Sequence, residues 1–423
     1  MTSRLIKRYR AEKRFRLYGL LAIFISLFFL FILVFSIVIK GYTAFGQTMI
    51  RLPIYFDEQV IDPEKARFKD KNILIEANYN KVIYNSLAKL LSVNANEPQV
   101  KKQLKELYSN SSPFVLEKKV VADPSLIGKT QLVEFLASAD IDMVNKGKID
   151  LSVAEDDRKV SNKVIDWVNQ LKKNKLLYKS FNKGLFLNSA SSNPEKAGLA
   201  TAFIGSLYMM LVVLAAALPV GVAASVYLEE YAPRNKFTDF IEININNLAA
   251  VPSIVFGLLG LSIFINFFGL PRSSSLVAGL VLALTSLPTI IITTRSALRS
   301  VPNSIKAGAM ALGASKTQAI FHHVLPLATP GVLTGTIISI AQVMGQTAPL
   351  LLIGMVAFVA NYPVTPLDPA TVLPVQIYIW SGEMHRAYVE RTSAAIIILL
   401  IFLMCMNILA IILRSKFEKK GKY

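Results

Sequence analysis

The sequence has few of the residues on which enzymes and metal sites depend. Its 423 residues include one cysteine and three histidines, and only 17% are charged. The single cysteine, Cys405, excludes an intrachain disulfide and lies in an apolar run, where we interpret it as an inert hydrophobic residue. His322 and His323 are adjacent, so on a helix they point about 100° apart and cannot chelate one ion as an i, i+4 pair does. We therefore expect no metal site.

Catalytic motifs are absent as well. The sequence has no Gly-x-Ser-x-Gly between a strand and a helix, and no cluster of Cys and His. Residues 123–130 end in Gly-Lys-Thr as a phosphate loop does, but Asp123 stands where the first glycine belongs. A nucleotide loop needs both glycines to turn its amides onto the phosphates. We expect no catalytic residue in this chain and no cofactor bound by it.

Acidic residues are also scarce, with 28 against 46 basic residues and a net charge of +18. The surplus is concentrated at the two ends of the chain, where each cluster of basic residues contains only one acidic residue. This placement is typical of segments beside an anionic membrane leaflet. It predicts cytoplasmic termini in contact with membrane lipids, and it makes nucleic-acid binding the poorest interpretation. The basic residues are Arg4, Lys7, Arg8, Arg10, Lys13, Arg14, Arg16, Arg414, Lys416, Lys419, Lys420 and Lys422.

Apolar residues, by contrast, make up 53% of the chain. Residues 17–39 form a run of 23 without a charge, and at about 1.5 Å per residue such a helix crosses a hydrocarbon core of about 30 Å. The run is longer than the apolar part of a secretory signal, about 7–15 residues, so we expect a retained anchor. Five further runs are nearly free of charge: 197–228, 243–271, 273–294, 316 to about 362, and 392–413.

Residues 40–196 have the composition of a soluble domain, with 25 basic and 19 acidic residues. Alternation of apolar and polar residues predicts a strand over 51–60. Amphipathic periodicity predicts helices over 82–91, 100–108 and 165–176. We therefore predict an inserted α+β domain outside the membrane, in the periplasm.

Together these segments predict an α-helical membrane protein with six transmembrane helices. With the basic N-terminus inside, residues 229–242 and 295–323 become cytoplasmic loops. The second loop has four basic residues and no acid, as the positive-inside rule requires, whereas the first has two basic residues against four acids. The predicted divisions are 1–39 (N-terminus and anchor), 40–196 (periplasmic domain), 197–413 (membrane domain) and 414–423 (basic tail).

The loop 295–323 contains the most informative pattern. Pro302 and Asn303 favour the start of a helix and Gly313 favours its end. Ile305, Ala309 and Leu312 lie at i, i+4 and i+7, so they would form a small apolar face on a cytoplasmic loop. Such a helix is suited to docking on a partner; a helix lying in the membrane interface is the alternative.

The spacing of this loop resembles a known signature. Ala307-Gly308-Ala309, three residues, Gly313, nine residues and then His323-Val-Leu-Pro326 is similar to the loop of ABC-importer permeases. The resemblance implies a coupling helix that sits in a groove of the ATPase. Two residues depart from the pattern: Ala307 replaces the usual Glu, which puts one ionic contact to the ATPase in doubt, and His323 replaces the usual Ile. The implied coupling residues are Ala307, Gly308, Ala309, Leu312, Gly313 and Pro326.

A narrower resemblance covers most of the chain. Segments 247–257, 285–290, 333–335, 345–351 and 368–378 resemble the PstA family, permease subunits of phosphate ABC importers, and segments 122–128 and 181–186 resemble the N-terminal extension of its alphaproteobacterial members. The resemblance implies an anchor helix plus a five-helix type I importer core in the bacterial inner membrane. It also implies three partners: the permease PstC, an ATPase dimer PstB that uses ATP and Mg, and the periplasmic phosphate-binding protein PstS. The chain itself would catalyse nothing.

The same resemblance suggests residues along the pathway. Many family members have an Arg one turn before a Glu in Gly-Glu-Thr-Ala-Pro, where this chain has Gln342 and Gln346. Losing both charges together is coherent, because either one alone would be costly inside a bilayer. The two amides could line an oxyanion path or bond across helices as packing contacts. Thr347 and Pro349 would loosen the backbone there, and Gly331 and Gly335 form a small-residue face for helix packing.

Four alternatives remain open. A permease for another oxyanion, such as molybdate or sulfate, would share the physical features described above. A membrane sensor with residues 40–196 as its receptor would be expected to carry an output module after Arg414, and the sequence offers none there. The domain 40–196 itself could contact the binding protein or the partner permease, and a cover over the outer mouth is the interpretation we favour. A second copy of the chain could also take the place of the different permease.

Overall fold

The computed structural model describes residues 3–65 and 72–420, which form a soluble domain attached to one end of a helical bundle. We call the end of the bundle that meets the soluble domain the domain end, and the opposite end the loop end. Lys422 of the predicted basic tail lies outside the described residues. The predicted fold class, an α-helical membrane protein with an inserted α+β domain, is confirmed.

The soluble domain is built on a three-stranded antiparallel sheet. Strands β1 (Gly46–Tyr55), β2 (Thr130–Leu136) and β3 (Leu177–Phe181) lie in the order β2-β1-β3. Alternate residues of β1 are fully buried, which places one face of the sheet on the domain core. In the described part of the domain, eight α-helices surround it: α2 Glu58–Ile61, α3 Asn72–Glu76, α4 Tyr79–Leu91, α5 Pro98–Lys105, α6 Ser112–Ala122, α7 Ala139–Asn145, α8 Asn162–Lys173 and α9 Lys183–Leu187.

The predicted strand 51–60 is wrong in its second half. The strand begins and ends five residues before the predicted bounds, at Gly46 and Tyr55. It ends there because Asp57 caps α2 by accepting a hydrogen bond from the amide of Gln59 at 2.9 Å. The three predicted helices 82–91, 100–108 and 165–176 are confirmed as α4, α5 and α8, with ends shifted by up to three residues.

The bundle contains five helical segments long and apolar enough to cross a membrane, within the described residues, or six if one bent pair is counted as a span. The five segments are Arg8–Phe45, Ala200–Tyr231, Ser275–Arg299, Lys316–Met344 and Ala387–Lys416. The α-helices are α1 Ser3–Gly41, α10 Ala200–Val226, α11 Lys236–Ala249, α12 Ser253–Gly260, α13 Ser275–Arg299, α14 Asn303–Ala311, α15 Lys316–Ala319, α16 Leu325–Met344, α17 Ala348–Leu352, α18 Leu373–Ser381 and α19 Ala387–Lys420.

The third predicted crossing, 243–271, is not one straight helix. Lys236–Ala249 and Ser253–Phe267 meet at an angle of 99°. Pro252 has an extended backbone (φ −55°, ψ 133°) and precedes the first residue of α12, so its ring starts a new helix instead of continuing the old one. The predicted loop 229–242 is also wrong, because a π-helix covers Tyr227–Tyr231 and α11 begins at Lys236.

Two other helix ends differ from their predicted positions. The run 316–362 is helical only to Met344, after which Gly345 ends α16 and a loop follows α17. The last helix continues through the predicted tail to Lys420, since no Gly or Pro interrupts the basic segment before that residue.

Glycines allow the central helices to approach closely. A Cβ on Gly335 would lie 1.9 Å from Oγ1 of Thr293, and one on Gly331 would lie 2.5 Å from Cβ of Ala297, so α16 packs directly on α13. The packing interpretation of this small-residue face is therefore confirmed. The anchor α1 is different, because its most apolar window is fully exposed and its contact with α19 is made at Gly41, against Ser393 and Ala394.

Candidate coupling and translocation site

The helix predicted between Asn303 and Gly313 is present as α14, at the loop end. It ends in a Schellman motif: the amide of Ala314 donates to the carbonyl of Ala309 at 3.1 Å, and the amide of Gly313 to that of Met310 at 3.0 Å. Gly313 has φ +94°, a conformation that costs glycine little and other residues more. The chain therefore turns sharply after α14 because Gly313 permits it.

The exposed residues of α14 form the surface available to a partner. Leu312 is 92% exposed and Met310 41%, while Ala307 and Gly308 are exposed and Ala309 is half-buried. Large exposed apolar side chains beside small residues are typical of a docking surface. The same surface would suit the membrane interface, the alternative that the sequence left open.

The segment after α14 leads back into the bundle. Ser315 and Gln318 form a reciprocal capping box at the start of α15. A π-helical segment, Ile320–Val324, then joins α15 to α16, and Pro326 lies in the first turn of α16, where a proline needs no hydrogen-bond partner. Pro326 and both neighbouring histidines, His322 and His323, are exposed.

Ion pairs connect this region to the end of α10, and the sequence did not predict them. Glu230, in the π-helix that follows α10, pairs with Lys306 of α14. Its neighbour Glu229 accepts from Arg299 at 2.9 Å and from Arg295 at 3.3 Å. Glu229 and Glu230, two of the four acids in 229–242, therefore pair with basic residues in the last turns of α13 and on α14. The signal that could have revealed them was the opposite charge of two segments placed at the same end.

Two aromatic contacts reinforce this connection. The hydroxyl of Tyr231 donates to Oγ1 of Thr317 at 3.1 Å. The ammonium of Lys316 lies 4.9 Å from the centre of the Tyr231 ring, within the range of a cation–π contact. The segment α14–α15 is therefore held on the end of α10 at both of its halves.

The predicted pathway residues lie where the helix formed by the apolar run 316–362 is interrupted, after Met344. Gln342 is exposed in the last turn of α16. Gln346 lies beyond the helix end, and its backbone N–H donates to the carbonyl of Val343 at 3.0 Å. The two glutamines, one turn apart in the family pattern, therefore do not lie on one helix. Oε1 of Gln346 is buried and has no hydrogen-bond partner among the described residues, which is unusual for a buried amide.

The break itself is packed against the bent pair. Thr347 precedes α17, and its carbonyl accepts from the amide of Leu350 at 3.0 Å. Pro349 is buried, and a Cβ on Gly257 of α12 would lie 2.7 Å from its Cα. Two interrupted segments, α12 and α17, thus meet beside Gln346. Irregular backbone at membrane depth is tolerated where protein buries it or where it lines a cavity.

At the domain end, a loop connects α17 to α18. The carboxylate of Asp368 accepts from the amides of Thr365 and Val364, both at 2.8 Å. These two backbone hydrogen bonds hold the pKa of Asp368 below its usual value. The amide of Ala370 bonds the carbonyl of Ser273 at 2.8 Å, which fixes this loop on the start of α13.

The soluble domain is attached to the start of α19 through buried charges. Lys146, the residue after α7, lies between Asp142, at 2.6 Å, and Glu390 of α19, at 2.8 Å. Arg391 is buried and donates to the carbonyls of Ala197 at 2.7 Å and Glu195 at 3.1 Å. Within the part of the chain that the structure describes, no group of three His, Cys, Asp or Glu could hold a metal ion.

Two family models match parts of this chain. Residues 217–422 match the family described as the binding-protein-dependent transport system inner membrane component, and residues 2–155 match a domain of unknown function, DUF3333. The latter match ends before α8 and β3, although both complete the same soluble domain. A chain of the inward-facing MetNI methionine ABC transporter aligns over 52% of this chain and 95% of its own, with 18% identity and a TM-score of 0.43.

Several curated relatives are permeases. PstA of Haemophilus influenzae, a phosphate transport system permease, is 30% identical over 53% of this chain and 78% of its own length. PstA of Mycobacterium leprae is 34% identical over 51% of this chain and 70% of its own. The probable ABC transporter permease YqgI of Bacillus subtilis is 37% identical over 36% of this chain, which spans about half (52%) of that relative.

The family match and the apolar helices define the class: this is a multi-pass permease subunit of a binding-protein-dependent ABC importer. Within that class, the chain belongs to the PstA family, and its first part carries the DUF3333 extension.

Proposed function

We propose that this chain forms half of the membrane pathway through which an ATP-driven importer takes up inorganic phosphate. The observation that carries the proposal is α14, a capped helix exposed at the loop end and ion-paired through Lys306 to Glu230 at the end of α10. Curated relatives named as phosphate transport permeases support the choice of substrate.

In this proposal both termini and α14 face the cytoplasm, and the soluble domain faces the periplasm. The four basic residues of 295–323 and the basic residues at both ends support that orientation. The partners are a second permease of the PstC type, a dimer of the ATPase PstB and the periplasmic binding protein PstS. ATP and Mg bind to the ATPase and not to this chain.

The chain would convert a displacement of α14 into a rearrangement of helices. A push on α14 reaches α10 through Lys306 and Glu230, and it reaches α16 through α15 and the π-helical segment Ile320–Val324. A short π-helical segment is a frequent mark of functional sites. The C-terminal end of α16 then passes this motion to the interruption of the helix at Gln346, where α12 and α17 meet. Packed helices with discrete arrangements can amplify such small shifts.

At that break, Gln346 supplies a neutral polar lining. Its buried Oε1 has no partner within the described residues, and its amide group could donate to an oxyanion without the cost of a fixed charge in the bilayer. Gln342, exposed in the last turn of α16, would extend the lining; Thr347 and Pro349 would shape the irregular backbone.

The test is uptake in proteoliposomes that contain this chain, its partner permease and the ATPase, with the binding protein added. We expect ATP-dependent phosphate uptake by the wild type and loss of uptake in Gly313→Asp, with the complex still assembled. Gly128→Asp, the same change at a glycine of the soluble domain that also has a positive φ (+83°) and nothing within 4 Å, is the matched control. An assembled, ATP-hydrolysing complex that imports sulfate or molybdate but no phosphate would refute the substrate assignment.

A further inference from the structure

The domain end contains a cavity of about 400 Å³ that the proposed pathway does not use. Its walls come from three separated parts of the chain: the linker after α9, the loop after α17, and α18 with the start of α19. Ser192, Phe358, Gln376, Trp380, Glu383 and Tyr388 are among its lining residues. The volume is within the range of about 300–1,000 Å³ typical of ligand sites.

Two buried polar side chains line this cavity without a partner. Gln376 is only 4% exposed and Trp380 only 3%, yet neither the side-chain amide of Gln376 nor the indole N–H of Trp380 forms a hydrogen bond within the described residues. Tyr388 differs, because its hydroxyl donates to the carbonyl of Ser191 at 3.0 Å. Neither polar group is among the atoms shut off from solvent without a partner, so both are open to the cavity, and Gln376 and Trp380 are suited to bonding an occupant.

The chemistry of the walls favours a peptide over a free anion. An amide side chain both donates and accepts, which matches a peptide group. The aromatic and aliphatic walls, including Phe358 and Ile379, suit an apolar side chain. The carboxylate of Glu383 at the rim and the C-terminal end of α18 make the opening negative, so it repels phosphate and attracts a basic residue.

Apart from Tyr388, in the first turn of α19, the walls belong to segments outside the five long spans, so we expect the occupant to reach the cavity from water and not from the bilayer. We propose that this cavity receives a loop of the importer's soluble substrate-binding protein, which inserts an apolar side chain, bonds its backbone to Gln376 and Trp380, and places a lysine or arginine near Glu383. This inference rests on the proposed function, because that function supplies the partner.

The first measurement is the affinity of the substrate-binding protein for the complete transporter in nanodiscs. Gln376→Leu keeps the size of the side chain and removes its hydrogen bonds, so we expect about three- to tenfold weaker binding. Ala357→Trp, which narrows the mouth, should weaken binding at least as much. Gln170→Leu on the exposed side of α8 is the matched control and should change nothing.

Two further readouts identify the occupant. Glu383→Gln should reduce the affinity at low salt and flatten its salt dependence, since rim charges are screened by ions. A photocrosslinking residue at Phe358, which is 64% exposed, should capture a segment of the binding protein that contains a basic residue.

Unchanged affinity in both Gln376→Leu and Ala357→Trp would overturn the inference, as would crosslinks from Phe358 confined to the partner permease or to lipid. Binding and crosslinking are read without transport. A wild-type complex that captures its binding protein but imports no phosphate would therefore refute the proposed substrate and leave the docking site standing.

Discussion

The ammonium of Lys146 and the carboxylate of Glu390 meet at 2.8 Å, although 244 residues separate them in the sequence. Their side chains are only 5% and 9% exposed. Asp142 completes the arrangement, and its other oxygen accepts from the amide and hydroxyl of Thr48 in β1 at 2.8 and 2.6 Å. The sheet of the soluble domain is thereby bonded, through Asp142 and Lys146, to the last membrane helix.

We expect Lys146→Met to loosen the soluble domain from α19. The change removes the ammonium that both carboxylates contact, and breaking a buried pair by removing one partner costs about 3–5 kcal/mol. Limited proteolysis of the linker 188–199 and the midpoint of thermal unfolding would measure the loss. The control is Arg51→Met, which breaks an ion pair to Glu134 whose side chains are about half exposed and should have little effect. A linker that stays protected in Lys146→Met would contradict the prediction.

Reversing the charge of Lys306 should uncouple ATP hydrolysis from uptake. Lys306→Glu places two carboxylates together at Glu230, so a displacement of α14 no longer pulls on α10. We expect ATP hydrolysis to continue while phosphate imported per ATP falls severalfold. The swapped pair Lys306→Glu with Glu230→Lys restores the attraction and should recover most of the uptake. Equal loss in the single and the double variant would show that the pair does not transmit motion.

Two glycines of the coupling region should respond to alanine with opposite signs. Gly308 lies inside α14 with open space around it, so Gly308→Ala should stabilise the helix by about 0.5–1 kcal/mol. Gly313 also has open space, but its φ of +94° strains any side chain, so Gly313→Ala should destabilise the turn by about 1 kcal/mol. Hydrogen exchange of the α14 amides in the isolated chain reports both. If Gly308→Ala destabilised the helix, the space around Gly308 on α14 would not be open as described.

Gln346→Leu separates the two interpretations of that residue. If the amide lines the phosphate path, uptake should fall at least tenfold while stability stays equal or rises, because a buried unpartnered oxygen has been removed. If the amide is instead a packing contact between helices, the variant should be less stable, and uptake should fall only in proportion to the amount of folded protein lost. Uptake rates and thermal midpoints of the same preparations decide between them. Gln342→Leu, on the exposed side of α16, is the companion variant.

The turn at Asp368 should weaken in acid. Its pKa lies below the ordinary value of 3.8 because the amides of Thr365 and Val364 donate to the charged form. Stabilisation by this carboxylate is therefore present above pH 3.8 and is lost as the pH falls through the lowered pKa. Protection of the Val364 and Thr365 amides from hydrogen exchange, measured from pH 6 to pH 3, should fall in the wild type. In Asp368→Asn it should be lower throughout and independent of pH.

Local sequence patterns predicted many of the helices and strands. The bounds of α14 could be predicted because Pro302 and Gly313 act on their own backbone, and α4 and α8 followed from amphipathic periodicity. The strand β1 was misplaced because alternation continues past Tyr55, whereas the side chain of Asp57 ends the strand. The bend at Pro252 was missed because hydropathy averages over a window and does not register the direction of the chain.

The candidate site was less accessible from sequence. The coupling helix was found through a local signature, but Lys306 could have paired with any acid at the loop end, and only packing selected Glu230. The family resemblance places Gln342 and Gln346 one helical turn apart. Gly345 ended that helix instead, and it placed Gln346 against the bent pair.

By itself, the sequence determined that the chain is a membrane protein with a soluble insertion, because apolar runs and basic ends are set by composition over short distances. It also determined where α14 begins and ends. The tertiary structure alone decided which buried charges meet, how the broken segments pack and which amides are left without partners. Those choices depend on side chains far apart in the sequence, and only the packed chain brings them within hydrogen-bonding distance.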